Sequence, residues 1–298
     1  MENQVSNSND HALFNLYKVG TVAITFLTAL MSVVLFSNNM EEGTRYFNSS
    51  MATKCTIALL CINLAFAASA FVVFRKGMSK PTVELGVAKY LFLLPTAVSI
   101  LSAVVTVLQS TEVSSPLAIA ILVTSVGSAL FSLSYVADLP KALAIISGYV
   151  QLFFFVLIIS KLYTDFTVEM NAPMKLFIQL TACAAIINTL SDIRFFIGRE
   201  KSGLFTFSKM SFIFLTVLTS FGMIFEVVPH YESYNADYVA FPFFFLSLCM
   251  PVAAQLLCAV LKARQKDDIE GGSVFSDHIT VKEFVDKILE DSQNEADK

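Results

Sequence analysis

Long apolar segments alternate with short polar ones along most of this chain. Eight segments are apolar, and each is near the roughly 20 residues that an α-helix needs to cross about 30 Å of hydrocarbon. The pattern therefore predicts an all-α polytopic membrane bundle of eight transmembrane helices. The eight segments are residues 19–37, 55–74, 90–108, 117–136, 142–160, 176–196, 210–228 and 239–261.

Composition supports a membrane protein. Hydrophobic residues make up 55% of the 298 residues, charged residues 15%, and the mean hydropathy is +0.67. A soluble domain carries about 25% charged residues, so this chain has too little polar sequence to cover eight buried helices. Residues 1–18 contain one base, Lys18, and no small-residue cleavage site follows them. We therefore predict a short cytoplasmic segment over 1–18 and a first span that is retained.

Basic residues are concentrated on one side of the predicted topology, with thirteen there and four on the other. Basic loops stay in the cytoplasm, so both termini are predicted to be cytoplasmic, in a protein integral to the plasma (cytoplasmic) membrane. The thirteen are Lys18, Arg75, Lys76, Lys80, Lys89, Lys141, Arg194, Arg199, Lys201, Lys209, Lys262, Arg264 and Lys266, and the four are Arg45, Lys54, Lys161 and Lys175.

Three pairs of bases recur at nearly constant separations of 123, 121 and 120 positions, and each pair opens equivalent spans. This spacing indicates two four-helix units of parallel orientation, 19–136 and 137–261, as in some transporters. The alternative is that any alternating topology places bases at regular intervals. The pairs are Lys18 with Lys141, Lys54 with Lys175, and Lys89 with Lys209.

The charged tail, residues 262–298, is predicted to be cytoplasmic and to contain a short amphipathic helix over 280–291. Thr280 and Glu283 have the spacing of a capping box. An apolar stripe follows, formed by Val281, Phe284, Val285, Ile288 and Leu289. So short a helix is marginal alone in water, so we expect it to dock on the protein's own basic loops or on a cytosolic or membrane protein partner.

Asp192 is the residue most suggestive of a site, because an acid inside a membrane span is by default a functional candidate. At helical spacing it shares a face with Asn188, Phe195 and Arg199, whereas Arg194 points elsewhere. The candidate polar site is therefore Asn188, Asp192, Arg194 and Arg199. We expect Asp192 to face the bundle and to pair with a base of loop two or loop six, with Arg199 best placed. The alternative is a helix-end acid held by neighbouring bases.

Pro95 in the third segment and Pro251 in the eighth are predicted to kink their helices, because each removes a backbone donor. Freed carbonyl groups at a kink can line a cavity, but membrane helices also tolerate such kinks without any function.

Catalytic and metal-binding motifs are lacking in the sequence. The five cysteines fall inside apolar segments without C-x-x-C spacing and are expected to be small buried hydrophobes. No metal, cofactor or nucleic-acid partner is predicted, and the expected environment is the lipid bilayer. The leading hypothesis is a non-enzymatic binder or carrier of a small apolar or amphiphilic molecule. The alternatives are a membrane-embedded lipid-modifying enzyme that uses Asp192 and Asn188, and a membrane subunit or sensor that docks a partner through its tail.

Overall fold

The structure, a computed structural model, describes residues 2–40, 46–75, 79–109, 116–137, 139–164, 172–228 and 236–263. These ranges hold eight α-helices, a short 3-10 helix at Gly86–Phe92, and two strands, β1 (Ser79–Val83) and β2 (Ala259–Ala263), which pair with each other. The helices are α1 (Glu2–Asn39), α2 (Met51–Arg75), α3 (Leu93–Gln109), α4 (Pro116–Leu133), α5 (Lys141–Thr164), α6 (Pro173–Ile197), α7 (Ser202–Val227) and α8 (Ala236–Cys258).

Six helices are long and apolar enough to cross a membrane, counted over the described residues, so the chain is a multi-pass, mainly helical integral membrane protein. They are His11–Ser37, Met51–Arg75, Lys141–Thr164, Pro173–Ile197, Ser202–Glu226 and Ala240–Cys258. Two further apolar helices, Gly86–Leu101 and Ile119–Leu133, are shorter. The count of eight spans therefore stays a prediction, as does the orientation of the termini.

Several boundaries differ from those predicted. Only four residues separate α6 from α7, so α7 begins at Ser202 rather than at 210 and includes Lys209, which the sequence had placed in a loop. Helix α8 ends at Cys258, earlier than the predicted end of the eighth segment at 261. The next residues form β2 (Ala259–Ala263), which pairs with β1. Helix α1 begins at Glu2, ahead of the predicted first span.

The two prolines have different settings. Pro95 lies in the first turn of α3, directly after the 3-10 helix. Backbone N–H groups in the first turn of an α-helix have no acceptor within that helix, so the N–H that proline lacks is tolerated there. The kinks predicted at Pro95 and Pro251 stay predictions. Pro251 lies inside α8 together with Pro242. The amphipathic helix predicted over 280–291 falls outside the described residues.

Helix α7 is central, because it packs against α1, α2, α6 and α8. Two glycines permit this close approach. A Cβ at Gly203 would lie 2.8 Å from the carbonyl oxygen of Phe71 in α2, and one at Gly222 would lie 2.1 Å from the ring of Phe36 in α1. Small residues at helix contacts are a general means of close packing in membranes, where water does not drive helices together.

Six helices close into a ring. Each helix from α3 to α8 packs against the next, and α8 packs back against α3, while α1 and α2 pack on α7. We call α3–α8 the helix ring, and its basic end is the end that holds the α4–α5 and α6–α7 connections. In the predicted repeat α7 corresponds to α3, but α3 packs mainly against α4 and α8. The four-plus-four duplication stays a prediction.

Candidate functional site

Asp192 lies in α6 with only 3% of its surface exposed, and it accepts a hydrogen bond and ion pair from the Nζ atom of Lys209 in α7. One turn earlier, the Nδ2 atom of Asn188 donates to the second carboxylate oxygen at 3.3 Å. The expectation that Asp192 faces the bundle and pairs with a base is confirmed. The expectation that Arg199 is the best-placed base is wrong, because the early start of α7 brings Lys209 into the bundle instead.

Lys209 is completely buried, and its ammonium also lies 5.4 Å from the centre of the Phe205 ring. A lone buried ammonium would be very costly, whereas one paired with a carboxylate and hydrogen-bonded to it is tolerated. The pairing with Asp192 therefore explains why Lys209 can lie inside α7, although the sequence pattern placed the start of this span at residue 210.

Glu200 is a second buried acid, and it comes from the connection between α6 and α7. Gly198 adopts the left-handed conformation (φ 79°), and the amide of Arg199 donates to the carbonyl of Arg194, which turns the chain back on α6. The Ser191 hydroxyl then donates to Glu200 Oε1 at 2.8 Å. This turn ties the α6–α7 connection to the last turns of α6.

Arg194, a predicted site residue, pairs with Glu200 and not with Asp192: its Nε atom lies 3.4 Å from Glu200 Oε2. Arg194 also donates from Nη2 to the backbone carbonyl of Arg199 at 3.4 Å. Of the four predicted site residues, Asn188 and Asp192 therefore lie together at the ion pair, and Arg194 lies at Glu200. Arg199 contributes its backbone to this turn.

Burial raises the pKa of Glu200 from its ordinary 4.5 to about 7. The Ser191 hydrogen bond and the positive charges of Arg194 and Lys209 act in the opposite direction, and the nearby Asp192 carboxylate adds to the increase. Glu200 thus exchanges its proton near neutral pH, close to the Asp192–Lys209 pair.

Tyr135, just after α4, belongs to the same region. Its hydroxyl lies near the Asp192 carboxylate and the Gln255 side chain. Its ring stacks on Phe92 at 4.0 Å between centroids and lies 4.9 Å from Phe196. Tyr135 therefore forms an aromatic contact between the end of α4, α6 and the 3-10 helix.

Several buried oxygen atoms of this region have no hydrogen-bond partner among the described residues. They include Gln151 Oε1 of α5, Asn188 Oδ1 of α6 and Gln255 Oε1 of α8. On α7, the unpartnered hydroxyls of Thr216 and Ser220 lie seven and eleven residues beyond Lys209 and therefore share its face. We call the group Tyr135, Gln151, Asn188, Asp192, Glu200, Lys209 and Gln255 the polar centre.

An aromatic cluster joins α5 and α8 farther from the basic end than Gln151 and Gln255. Phe154 of α5 lies 5.2 Å from Phe244 of α8, and Phe155 lies 6.2 Å from Phe245, measured between ring centroids. All four are buried. Gln151 is four residues before Phe155 and lies on the same face of α5. The polar centre therefore lies between this cluster and the aromatic contacts of Tyr135.

Sequence analysis missed Glu200, Gln151 and Gln255 as members of this site. The sequence did hold a signal for them: two are amides within apolar segments, and the third is an acid next to such a segment. A polar side chain in a membrane is costly unless it has hydrogen-bonding or charged partners. Comparison with known proteins adds no assignment: no family model matches this chain, and no curated protein or solved structure shows significant similarity to it.

Proposed function

We propose that this protein is a carrier, or a binding protein, for small amphiphilic molecules, and that the polar centre receives the polar group of the ligand. One observation supports this proposal most: the buried Asp192–Lys209 ion pair lies in a region where several buried side-chain oxygen atoms lack hydrogen-bond partners among the described residues. The apolar faces of the ring helices suit the rest of such a ligand.

Unsatisfied polar atoms inside a membrane bundle cost free energy, on the order of 1–3 kcal/mol each. The described residues of this region hold several of them on α5, α6 and α8. A fold that served only as a scaffold would gain stability by replacing them with apolar side chains. Their presence supports a role in which a ligand or water supplies the missing partners.

The ion pair suits reversible binding. Asp192 and Lys209 neutralise each other when no ligand is bound, so the empty centre avoids an isolated buried charge. A ligand with its own charged or hydrogen-bonding group can bind either Asp192 or Lys209 in place of the ion pair. Its other contacts must then stabilise the charge of the residue that has lost its partner. The aromatic contacts on either side of the centre are then the layers that must separate for a ligand to enter and leave on opposite faces.

The proposal is tested in proteoliposomes with three dansyl-labelled alkyl probes that carry an amine, an alcohol or a carboxylate. We expect saturable movement of at least one probe across the bilayer, and its loss in the double variant Asp192→Leu/Lys209→Met, which removes both charges without stranding either. If no probe moves or binds, or if the double variant behaves like the native protein, the proposal fails.

A lipid-modifying enzyme is the second candidate, and one observation favours it. The Ser191 hydroxyl donates to Glu200 at 2.8 Å, and the pKa of Glu200 is about 7, which is the arrangement of a nucleophile with a general base. Ser191 is completely buried, however, so this contact also suits a purely structural tie.

The Ser191→Ala variant separates the two candidates. A structural tie costs about 1 kcal/mol of stability when one hydrogen bond is lost, and probe movement continues. An enzyme would convert a lipid or probe into a product of different mass, and Ser191→Ala would abolish that conversion while the protein stays folded. The third hypothesis, docking of a partner through the tail, concerns residues outside the described ranges and stays a prediction.

A further inference from the structure

A crevice of about 300 Å³ lies between α1, α7 and α8, apart from the polar centre. Its walls are apolar except for two threonines of α1. Neither Asp192 nor Lys209 lines it. The lining residues are Thr21, Val22, Thr25, Phe26, Ala29, Ile213, Val217, Phe221, Ala253, Leu256 and Leu257.

The crevice opens sideways. On its rim, Val22 is 54% exposed, Phe26 67% and Leu257 49%. All three helices contain candidate membrane spans, so this rim faces hydrocarbon when the protein lies in a bilayer. The molecules that can enter from this side are therefore lipids and other apolar solutes of the membrane.

The ammonium group of Lys18 lies at one end of the crevice. Lys18 precedes Val22 by four residues and Thr25 by seven, so it lies on the crevice-lining face of α1. Its ammonium donates to the carbonyl oxygens of Leu257 (3.0 Å) and Ala259 at the end of α8, and it lies 4.8 Å from the centre of the Phe14 ring. An ammonium has three donors, so one remains for a ligand.

The crevice wall also carries an unused polar atom. The Thr21 hydroxyl donates to the Tyr17 carbonyl, but the Thr25 hydroxyl is buried and has no hydrogen-bond partner in the part of the chain that the structure describes. This hydroxyl has almost no accessible surface, so it would reach an oxygen of an occupant only after rotation of the Thr25 side chain. The ester oxygens of a glycerolipid have this chemistry, whereas a purely hydrocarbon occupant would leave the hydroxyl unsatisfied.

We propose that this crevice binds one acyl chain of an anionic phospholipid from the bilayer, with the lipid phosphate held by Lys18. Apolar walls open to hydrocarbon match the acyl chain of such a lipid, and a cation at the end of the crevice matches its phosphate. Lys18 contacts the last residues of the α8 span, so its ammonium lies near a membrane surface, where a lysine favours anionic over zwitterionic lipids. The proposal does not rest on the carrier function.

The experiment uses the whole chain of 298 residues, which contains no tryptophan, so that one introduced tryptophan is the sole reporter. Phe26→Trp places this reporter on the crevice rim. Phe153→Trp on α5, where the native side chain is 65% exposed, is the matched control away from the crevice. Fluorescence quenching is measured in vesicles that contain the same mole fraction of either a dibrominated phosphatidylglycerol or a dibrominated phosphatidylcholine.

We expect the rim reporter to show about a fivefold preference for the anionic quencher, and the α5 reporter to show none. Lys18→Gln should abolish the preference, whereas Lys18→Arg should keep it because the positive charge remains. Ala253→Phe should remove it by filling the crevice with Lys18 intact.

Equal quenching by the two lipids at the rim would overturn the proposal, as would a preference that survives Lys18→Gln. Protection of the rim reporter from both lipids, together with a concentration-dependent dimer, would also overturn it, because a second copy of the chain would then cover the crevice.

Discussion

Lys209 of α7 and Asp192 of α6 form an ion pair in which the lysine side chain is fully buried and the aspartate side chain is only 5% exposed. The pair joins two helices of the ring and lies next to the amide of Asn188. Because water does not reach the ammonium, each partner depends on the other for its charge to be stable. This dependence determines how substitutions at either position are expected to behave.

Asp192→Asn is predicted to destabilise the protein by about 3 kcal/mol or more, because it leaves the Lys209 ammonium buried without a counter-charge. From the sequence alone a modest loss is expected, since the partner base was placed in a loop that water reaches. Thermal unfolding in detergent micelles measures the effect. Lys209→Met added to Asp192→Asn should recover most of the loss, and a single variant as stable as the native protein would contradict the role of the pair.

The sequence predicted the helical membrane fold because long apolar segments have few other stable arrangements in a bilayer. It misplaced the start of α7 because hydropathy treats a lysine as the end of a span. In the folded protein Lys209 is compensated by Asp192, and that compensation depends on a contact between two helices. The β1–β2 pairing was missed for a similar reason, since Ala259–Ala263 is apolar and continues the pattern of α8.

The candidate site was predicted in part. Asp192 and Asn188 were found because they interrupt one apolar segment and share its face. Gln151 and Gln255 are single amides on different helices, and only the closure of the ring brings their faces toward the same region. Glu200 is brought to Ser191 by the turn at Gly198, which no local pattern of charges indicates.

Glu200 is predicted to make stability depend on pH. Its pKa is about 7 in the folded protein against an ordinary 4.5, so between these values the folded state binds a proton that the unfolded state has lost. Stability should therefore fall as pH rises from about 4.5 to 7, by up to about 3 kcal/mol, and change little above 7 from this group. Unfolding is measured from pH 5 to 8 for the native protein and Glu200→Gln.

The glutamine variant should lose this part of the pH dependence and be the more stable of the two at pH 8. Ser208→Ala is a suitable control, because its hydroxyl hydrogen bond is local to α7 and its side chain does not titrate. Parallel pH profiles for the native protein and Glu200→Gln would show that Glu200 is not the titrating group.

Gly198→Ala is predicted to cost about 1 kcal/mol, because the residue has a φ of 79°, which is unfavourable for side chains other than that of glycine. Among the described residues, apart from Gly198 and its chain neighbours, none has an atom within 4 Å of a Cβ built there, so the cost comes from the backbone and not from a clash. Gly198→Asn is the matched control, since asparagine tolerates the left-handed region and should be closer to the native stability. Equal losses in the two variants would contradict this explanation.

The orientation of the protein is predicted from its charges and is tested by cysteine labelling. Lys201 lies in the basic connection between α6 and α7, and Glu112 lies in a loop that the sequence shows to lack bases. In a variant without the five native cysteines, Lys201→Cys should react with a membrane-impermeant maleimide only after the cells are opened. Glu112→Cys should react in intact cells. Because positive charge determines which loops remain in the cytoplasm, the reverse result would place the polar centre near the outer face, with Lys18 and the crevice on that side as well.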